Sequence, residues 1–183
     1  MFMTTKKFNL EELDQNKINE AVERFASEYI SHERGFFILA PSGAGKTYYV
    51  KNQPRKDWID GDKLWVASGA HPNRAWWLES YDVMDEIDRR SDTVTKVAKE
   101  RGLWIMGASN RSLKPDAIVI PDWEEHKRLI KHREETGYDG GATSDHLDQV
   151  KGHREWILKW ADKGVPVFKT VHEAAESLGE PCK

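Results

Sequence analysis

The sequence is nearly without cysteine. One residue in 183, Cys182, sits near the end of the chain. No disulfide framework can form within the chain, and a reducing compartment, the cytoplasm, is the natural expectation. Long apolar runs are missing as well. None approaches the ~18 residues that cross a bilayer, so no membrane span is expected. The opening "MFMTTKKFNLEELDQ" lacks the apolar centre of a secretory signal. Neither sign of charge dominates. Against 28 Lys and Arg stand 31 Asp and Glu, a net charge of -3, so no global basic field draws nucleic acid. A local basic surface is then the only electrostatic route to it. Repeats and low-complexity linkers are absent too, which leaves one domain with room for a sizeable core. Nothing in the chain calls for an obligate protein partner.

What is present reads as alternating strands and helices. Residues 10–30 carry Ile18, Val22, Phe25 and Tyr29 at helical spacing, with Asn9 and Glu12 as a capping box. This makes residues 1–33 a helical extension ahead of the first strand. Gly35 to Leu39 is a short buried strand, and a helix is expected to begin at about Lys46. "DWID" at 57–60 ends a second strand. Val83, Ile87, Val94 and Val97 predict a helix over 79–100. "LWIMGAS" (103–109) and "AIVIP" (117–121) are strand-like. Asp122 with Glu125 suits the start of another helix, and a glycine-rich turn, "TGYDGGATSD", follows it. Leu147, Val150, Ile157 and Ala161 mark a helix over 145–162. "VPVFKT" (165–170) is a last strand before a short final helix. Such alternation predicts an α/β layered fold with a mainly parallel sheet.

The most informative stretch is "FILAPSGAGKTYYV". Ala40-Pro41-Ser42-Gly43-Ala44-Gly45-Lys46-Thr47 matches the Walker A pattern except that Ala40 replaces the first glycine. Glycines let backbone N–H groups turn inward around a phosphate, and the following helix points its positive end at the same anion. Lys46 is placed to reach the β- and γ-phosphate oxygens, and the Thr47 hydroxyl to ligate Mg²⁺. The nucleotide-binding set is then Ser42, Gly43, Ala44, Gly45, Lys46 and Thr47. A GTPase would carry an Asn-Lys-x-Asp guanine reader downstream, and none is present. A motor ATPase would carry a carboxylate after an apolar strand, but Leu103 to Met106 runs into Gly107-Ala108-Ser109.

Two further segments bear on catalysis. "DWIDGDKLW" sets Asp60 and Asp62 around Gly61, where a strand's C-terminal end opens on the ligand crevice. Either carboxylate can take a proton from an attacking hydroxyl or hold Mg²⁺ through water; the alternative is a plain Asp-Gly surface turn. "HKRLIKHRE" carries Lys127, Arg128, Lys131 and Arg133. Cations over a transferring phosphoryl group stabilise its charge, and the glycine-rich turn beyond would let residues 122–145 close as a lid. The alternative is a solvated charged helix.

In this order the loop, "DGD", the small-residue "GASNRS" and the late basic lid resemble the P-loop kinases. Gluconate, adenylylsulfate, nucleotide and phage polynucleotide kinases share that plan. The resemblance covers most of residues 35–170. It implies a three-layer sandwich with a five-stranded sheet of order 2-3-1-4-5 and a helical lid. It also implies ATP and Mg²⁺ as cofactors. Lys46 and Thr47 match the phosphate and Mg²⁺ residues, Asp60 or Asp62 the acceptor carboxylate, and Arg128 or Arg133 the lid arginines.

Eight tryptophans are many for this length. Trp58, Trp65, Trp76 and Trp77 follow the loop, where an acceptor pocket is expected, with His71, Asn73 and Arg74 nearby. Aromatic faces stack on bases, so Trp65, Trp76, Trp77 and Arg74 are the candidate acceptor residues. The bland alternative is packing. Phage enzymes that phosphorylate hydroxymethylated pyrimidines in DNA are similar in size and plan, and Lys51, Arg55, Lys56, Lys63 and Arg74 supply a basic strip for a DNA backbone. The expected function is transfer of the ATP γ-phosphate to a hydroxyl or phosphate of a nucleotide-like acceptor. The alternatives are a sugar or small-metabolite kinase, or a nucleotide-binding ATPase or regulatory module without an acceptor. The histidines show no ligand spacing; His146 and His153 read as a solvated face.

Overall fold

The computed structural model describes residues 10–137 and 141–179. Five strands, β1 (Phe36–Leu39), β2 (Trp58–Asp60), β3 (Trp104–Gly107), β4 (Ala117–Val119) and β5 (Val167–Phe168), form one sheet in the order β2-β3-β1-β4-β5. Every neighbouring pair is parallel. The described residues also form seven α-helices: α1 (Gln15–Glu28), α2 (Lys46–Asn52), α3 (Gly61–Ala67), α4 (Tyr81–Glu100), α5 (Trp123–Glu135), α6 (Leu147–Leu158) and α7 (Val171–Gly179). None of these is long and apolar enough to cross a membrane.

Strand side chains alternate between the two faces of a sheet, and the core divides accordingly. Phe37, Leu39, Ile59, Ile105 and Ile118 face one apolar layer with Ile18, Val22 and Phe25 of α1, Leu64 of α3, Val94 of α4 and Ile157 of α6. Ile38, Trp58, Met106, Ala117 and Val119 face the other with Ala174 and Ala175 of α7, and with Tyr49 and Val50 of α2 at its edge. The result is a three-layer α/β sandwich. The segment expected as an extension is one of its walls, because α1 packs on α3 and α4.

Element boundaries differ from the expected ones for local reasons. Helix α1 begins five residues late, because the Asp14 side chain accepts from Asn16 N at 2.9 Å and caps it. Asn9, the expected cap, lies outside the described residues, as does Cys182. The helix expected over 145–162 has 3-10 turns at both ends, Ser144–His146 and Lys159–Lys163, and stops at Gly164. Gly61 does not end in a loop. It opens α3, which Asp60 caps.

The sheet register sets up the crevice. Leu39 stands beside Gly107, and Asp60 beside Met106. The C-terminal ends of β1, β2 and β3 therefore stop at one level, and the loops leaving them share one edge of the sheet.

Candidate active site

The glycine loop leaves β1 at that edge. Ala40 N donates to Gly107 O at 2.9 Å, so the loop starts while still tied to β3. It then turns at Gly43 (φ 81°) and Gly45 (φ 97°), backbone that side chains rarely adopt. A Cβ at Gly43 would also collide with Ile130 of α5. A Cβ at Gly45 would meet nothing within 4 Å, so the space beside that peptide is open. An open cradle of backbone next to a lysine suits an anion.

Lys46 opens α2, yet its side chain folds back. Nζ donates to Ala40 O at 2.9 Å and Pro41 O at 2.7 Å and is buried. Burial lowers its pKa from 10.5 to about 8; Asp62 and Asp60 pull it back up, and Arg133 adds to the lowering. Next to it the Thr47 hydroxyl faces Asp60 Oδ2 at 3.5 Å. Asp60 is itself buried, and its Oδ1 accepts from Asp62 N at 3.1 Å. Asp62 is exposed, and its carboxylate has no hydrogen-bond partner among the described residues. Loss of hydration in the crevice, and after it the Asp60 charge, raise its pKa, while Lys46 and Arg133 oppose this.

The expected pairing of loop and "DGD" is therefore brought together. Thr47 and Asp60 offer hard oxygens to one point. Mg²⁺ takes one or two such protein ligands and keeps several waters, so these residues fit that ion.

Helix α5 lies on the loop. His126 is fully buried, and its Nε2 meets Ser42 O at 2.7 Å. On the other side Arg154 Nη1 lies 2.9 Å from His126 Nδ1 and 2.7 Å from Pro121 O. A guanidinium only donates. Nδ1 is therefore the acceptor, and Nε2–H donates to the loop carbonyl. Burial pushes the His126 pKa down to about 4, so the ring stays neutral at pH 7. Arg133 donates to Ser42 Oγ at 3.2 Å and to Ala142 O, and Ala142 N donates to the same Oγ at 3.0 Å.

Of the four cations expected over the phosphate, Arg133 thus turns to the loop. Lys127 pairs with Glu124 at 2.7 Å and Arg128 with Glu125 at 2.5 Å on the helix's outer side, and Lys131 is exposed. The turn expected to let the lid move spans 136–145, of which Tyr138 to Gly140 lie outside the described residues.

His126, Arg154 and His153 were not among the expected site residues. His153 hydrogen-bonds the Ala108 backbone, and burial, with Lys46 and His126 close by, lowers its pKa to about 4. It is not on a solvated face. The signal was present: His153 lies three residues after Val150 and four before Ile157, and His126 four before Ile130, on the buried sides of their helices.

The tryptophans part company. Trp65 is a correction: it is fully buried in the core, with Nε1 donating to Thr95 Oγ1 at 3.0 Å. Its ring crosses β3 where a Cβ at Gly107 would strike it. It has no face left for an acceptor. Trp58 is buried on the opposite side of the sheet. Trp76 and Trp77 remain half-buried. Trp76 meets the His71 ring edge-on at 4.7 Å, and Trp77 meets His146 at 4.9 Å beside Ile130 and Ala142. Arg74 is exposed. Compared with family models, curated proteins and solved structures, the chain matches none.

Proposed function

We propose that this chain is an ATP- and Mg²⁺-dependent phosphotransferase of the P-loop kinase type, moving the γ-phosphate to a hydroxyl or phosphate of a nucleotide-like acceptor. The observation that carries the reading is the loop itself. A strand ends, two positive-φ glycines turn the chain, and a buried lysine stands between that turn and the Asp60–Asp62 pair. Lys46 would leave the carbonyls of Ala40 and Pro41 for phosphate oxygens, where an anion restores its charge. Bound Mg²⁺ would neutralise charge on the phosphates. Thr47 and Asp60 would hold it, Asp60 through water. Asp62, exposed and without a hydrogen-bond partner among the described residues, would receive the acceptor proton. Arg133 would supply positive charge from the lid side, which favours it over Arg128.

Trp76 and Trp77 support a flat, base-like acceptor. A hydroxymethylated pyrimidine in DNA is one member of that class, although Arg55 and Lys56 precede β2 at the far end of that strand from the loop, and Arg55 pairs with Asp57. Burial of Trp65 removes one stacking face, and this favours keeping a sugar or small metabolite as the second reading. A transfer assay with γ-labelled ATP tests the proposal. Nucleosides, nucleotides, hydroxymethylated DNA and gluconate serve as acceptors, and Lys46→Ala as the control. Label transfer that depends on Lys46 is expected. ATP hydrolysis with no transfer to any acceptor would move the chain to the ATPase class.

A further inference from the structure

A second polar cluster lies at the same edge of the sheet, one loop away. Ser109 leaves β3 two residues after Gly107, and its hydroxyl donates to Asp88 Oδ1 of α4 at 2.6 Å. Ser109 Oγ also meets Ser91 Oγ at 2.8 Å, and Ser91 Oγ meets His71 Nε2 at 2.5 Å. His71 carries Trp76 edge-on, so a continuous chain runs Trp76, His71, Ser91, Ser109, Asp88. Ser91 and Ser109 are buried, whereas Asp88 is half-buried.

Asp88 differs from the acids beside it. Asp85 pairs with Arg111 at 2.8 Å. Asp92 accepts from the backbone N–H groups of Arg111, Ser112 and Leu113. Those two hold the loop after β3 in place. Asp88 has one neutral hydroxyl partner, and its Oδ2 has no hydrogen-bond partner among the described residues. The next residue along the loop, Asn110, is 1% exposed, and its Oδ1 also lacks a partner among them.

The chain is satisfied in both protonation states of Asp88. With the carboxylate ionised, His71 Nε2–H donates to Ser91, Ser91 to Ser109, and Ser109 to Asp88. With it protonated, the carboxyl donates to Ser109, Ser109 to Ser91, and Ser91 to Ile87 O, which lies 3.0 Å away. Only hydroxyl rotors turn. Asp88 can therefore change charge without leaving a buried donor or acceptor unpaired.

Resting on the phosphotransferase reading, we infer that Asp88 is a specificity-determining residue of the acceptor site. Its free oxygen receives an N–H or O–H from the polar edge of an acceptor whose flat face lies against Trp76. That pairing fits a nucleobase. Burial, with Asp85 and Asp92 nearby, raises the Asp88 pKa to about 7, and the Ser109 hydroxyl opposes the rise. The accepting, ionised form is then gained as pH rises through neutrality.

The test uses the full chain with ATP, Mg²⁺ and four probes: thymidine, thymidine monophosphate, gluconate, and an oligonucleotide carrying 5-hydroxymethyluracil. For a base-bearing probe, Asp88→Asn is expected to raise acceptor KM roughly 10- to 150-fold, the worth of one hydrogen bond to a charged group. The KM for ATP should hold. In the parent, acceptor KM should fall as pH rises through about 7. Ser109→Ala should move that limb to higher pH, and Asp88→Asn should erase it. A loop that merely unfolds would not shift a titration limb. Carboxylate carbon resonances of the unliganded protein give a second measure, with one group near 7 that vanishes in Asp88→Asn. Lys46-dependent transfer with acceptor KM and pH limb unchanged in Asp88→Asn would overturn this inference and leave the kinase reading standing. A preference for gluconate, or Asp88 titrating near 4, would overturn it equally. No transfer to any probe removes the kinase reading and the inference with it.

Discussion

Replacing Lys46 by Met should leave the unliganded protein about as stable as the parent at pH 7, although it removes a buried, doubly hydrogen-bonded side chain. The reason is electrostatic. The fold lowers the Lys46 pKa from 10.5 to about 8, a drop of about 2.5. At about 1.36 kcal/mol for each pKa unit, holding the ammonium in the fold costs about 3 kcal/mol. Against this stand its hydrogen bonds to Ala40 O and Pro41 O, worth ~1.5–3 kcal/mol each for a charged donor. The two effects largely offset, so Lys46→Met should lie within about 3 kcal/mol of the parent. The sign with pH is fixed. Below pH 8 the lysine is protonated folded and unfolded, and the cost is fully present. Between pH 8 and 10.5 the unfolded chain binds the extra proton, so the parent gains stability as pH rises. The variant lacks that gain. Urea unfolding without ATP or Mg²⁺, followed by tryptophan emission, at pH 7 and pH 10 reads both numbers. Phosphate transfer by the variant should be nearly abolished. A loss of more than about 4 kcal/mol at pH 7, with no pH-dependent difference, would show that Lys46 holds the loop together and is not poised for an anion.

Three further outcomes are expected. Asp60→Asn should raise KM for Mg-ATP, and Asp62→Asn should lower kcat with ATP binding kept; steady-state kinetics separate the two, and parent-like behaviour of both would reduce "DGD" to a helix cap. Trp76→Ala should weaken acceptor binding by roughly 1–3 kcal/mol with little change in KM for ATP. Trp77→Ala should lower the melting temperature as well, because that ring also packs on Ile130 and Ala142. His126→Ala should cost about 1–3 kcal/mol of stability by orphaning Ser42 O and one Arg154 donor; its KM for ATP should rise, and a melt and an ATP titration together check it.

Much of the fold was legible because its signals are local. Short apolar runs, most of them running into glycine or an acid within a few residues, mark strands that end at one edge. The strand order is a different matter: it followed from the resemblance, not from periodicity, and the observed order β2-β3-β1-β4-β5 bears it out. The tryptophans were harder, because β2 is three residues long. Trp58 and Trp65 lie close in sequence, yet a strand and a helical turn between them send one to each face of the sheet. Composition cannot carry that information; only the strand's parity does. The histidines were missed for another reason. His126 sits in a run so rich in charge that its neighbours hide the spacing to Ile130.

The one departure in the glycine loop can be judged on the same physical terms. A glycine is required where φ is positive or where a Cβ has no room. Gly43 meets both conditions, with φ 81° and Ile130 against it, and Gly45 meets the first at 97°. Among the described residues no side-chain-bearing residue has a positive φ, so Ala40 sits in ordinary backbone. Its methyl is buried in the apolar layer with Ile38 and Met106. The first position of the loop therefore makes no demand that alanine fails. Substitution by glycine there should remove a packed methyl and loosen the turn. Alanine at Gly43, by contrast, has to push back Ile130 and with it the helix that carries His126 and Arg133. The loop keeps glycine at the two positions where geometry compels it, and the motif's apparent defect falls at the one where it does not.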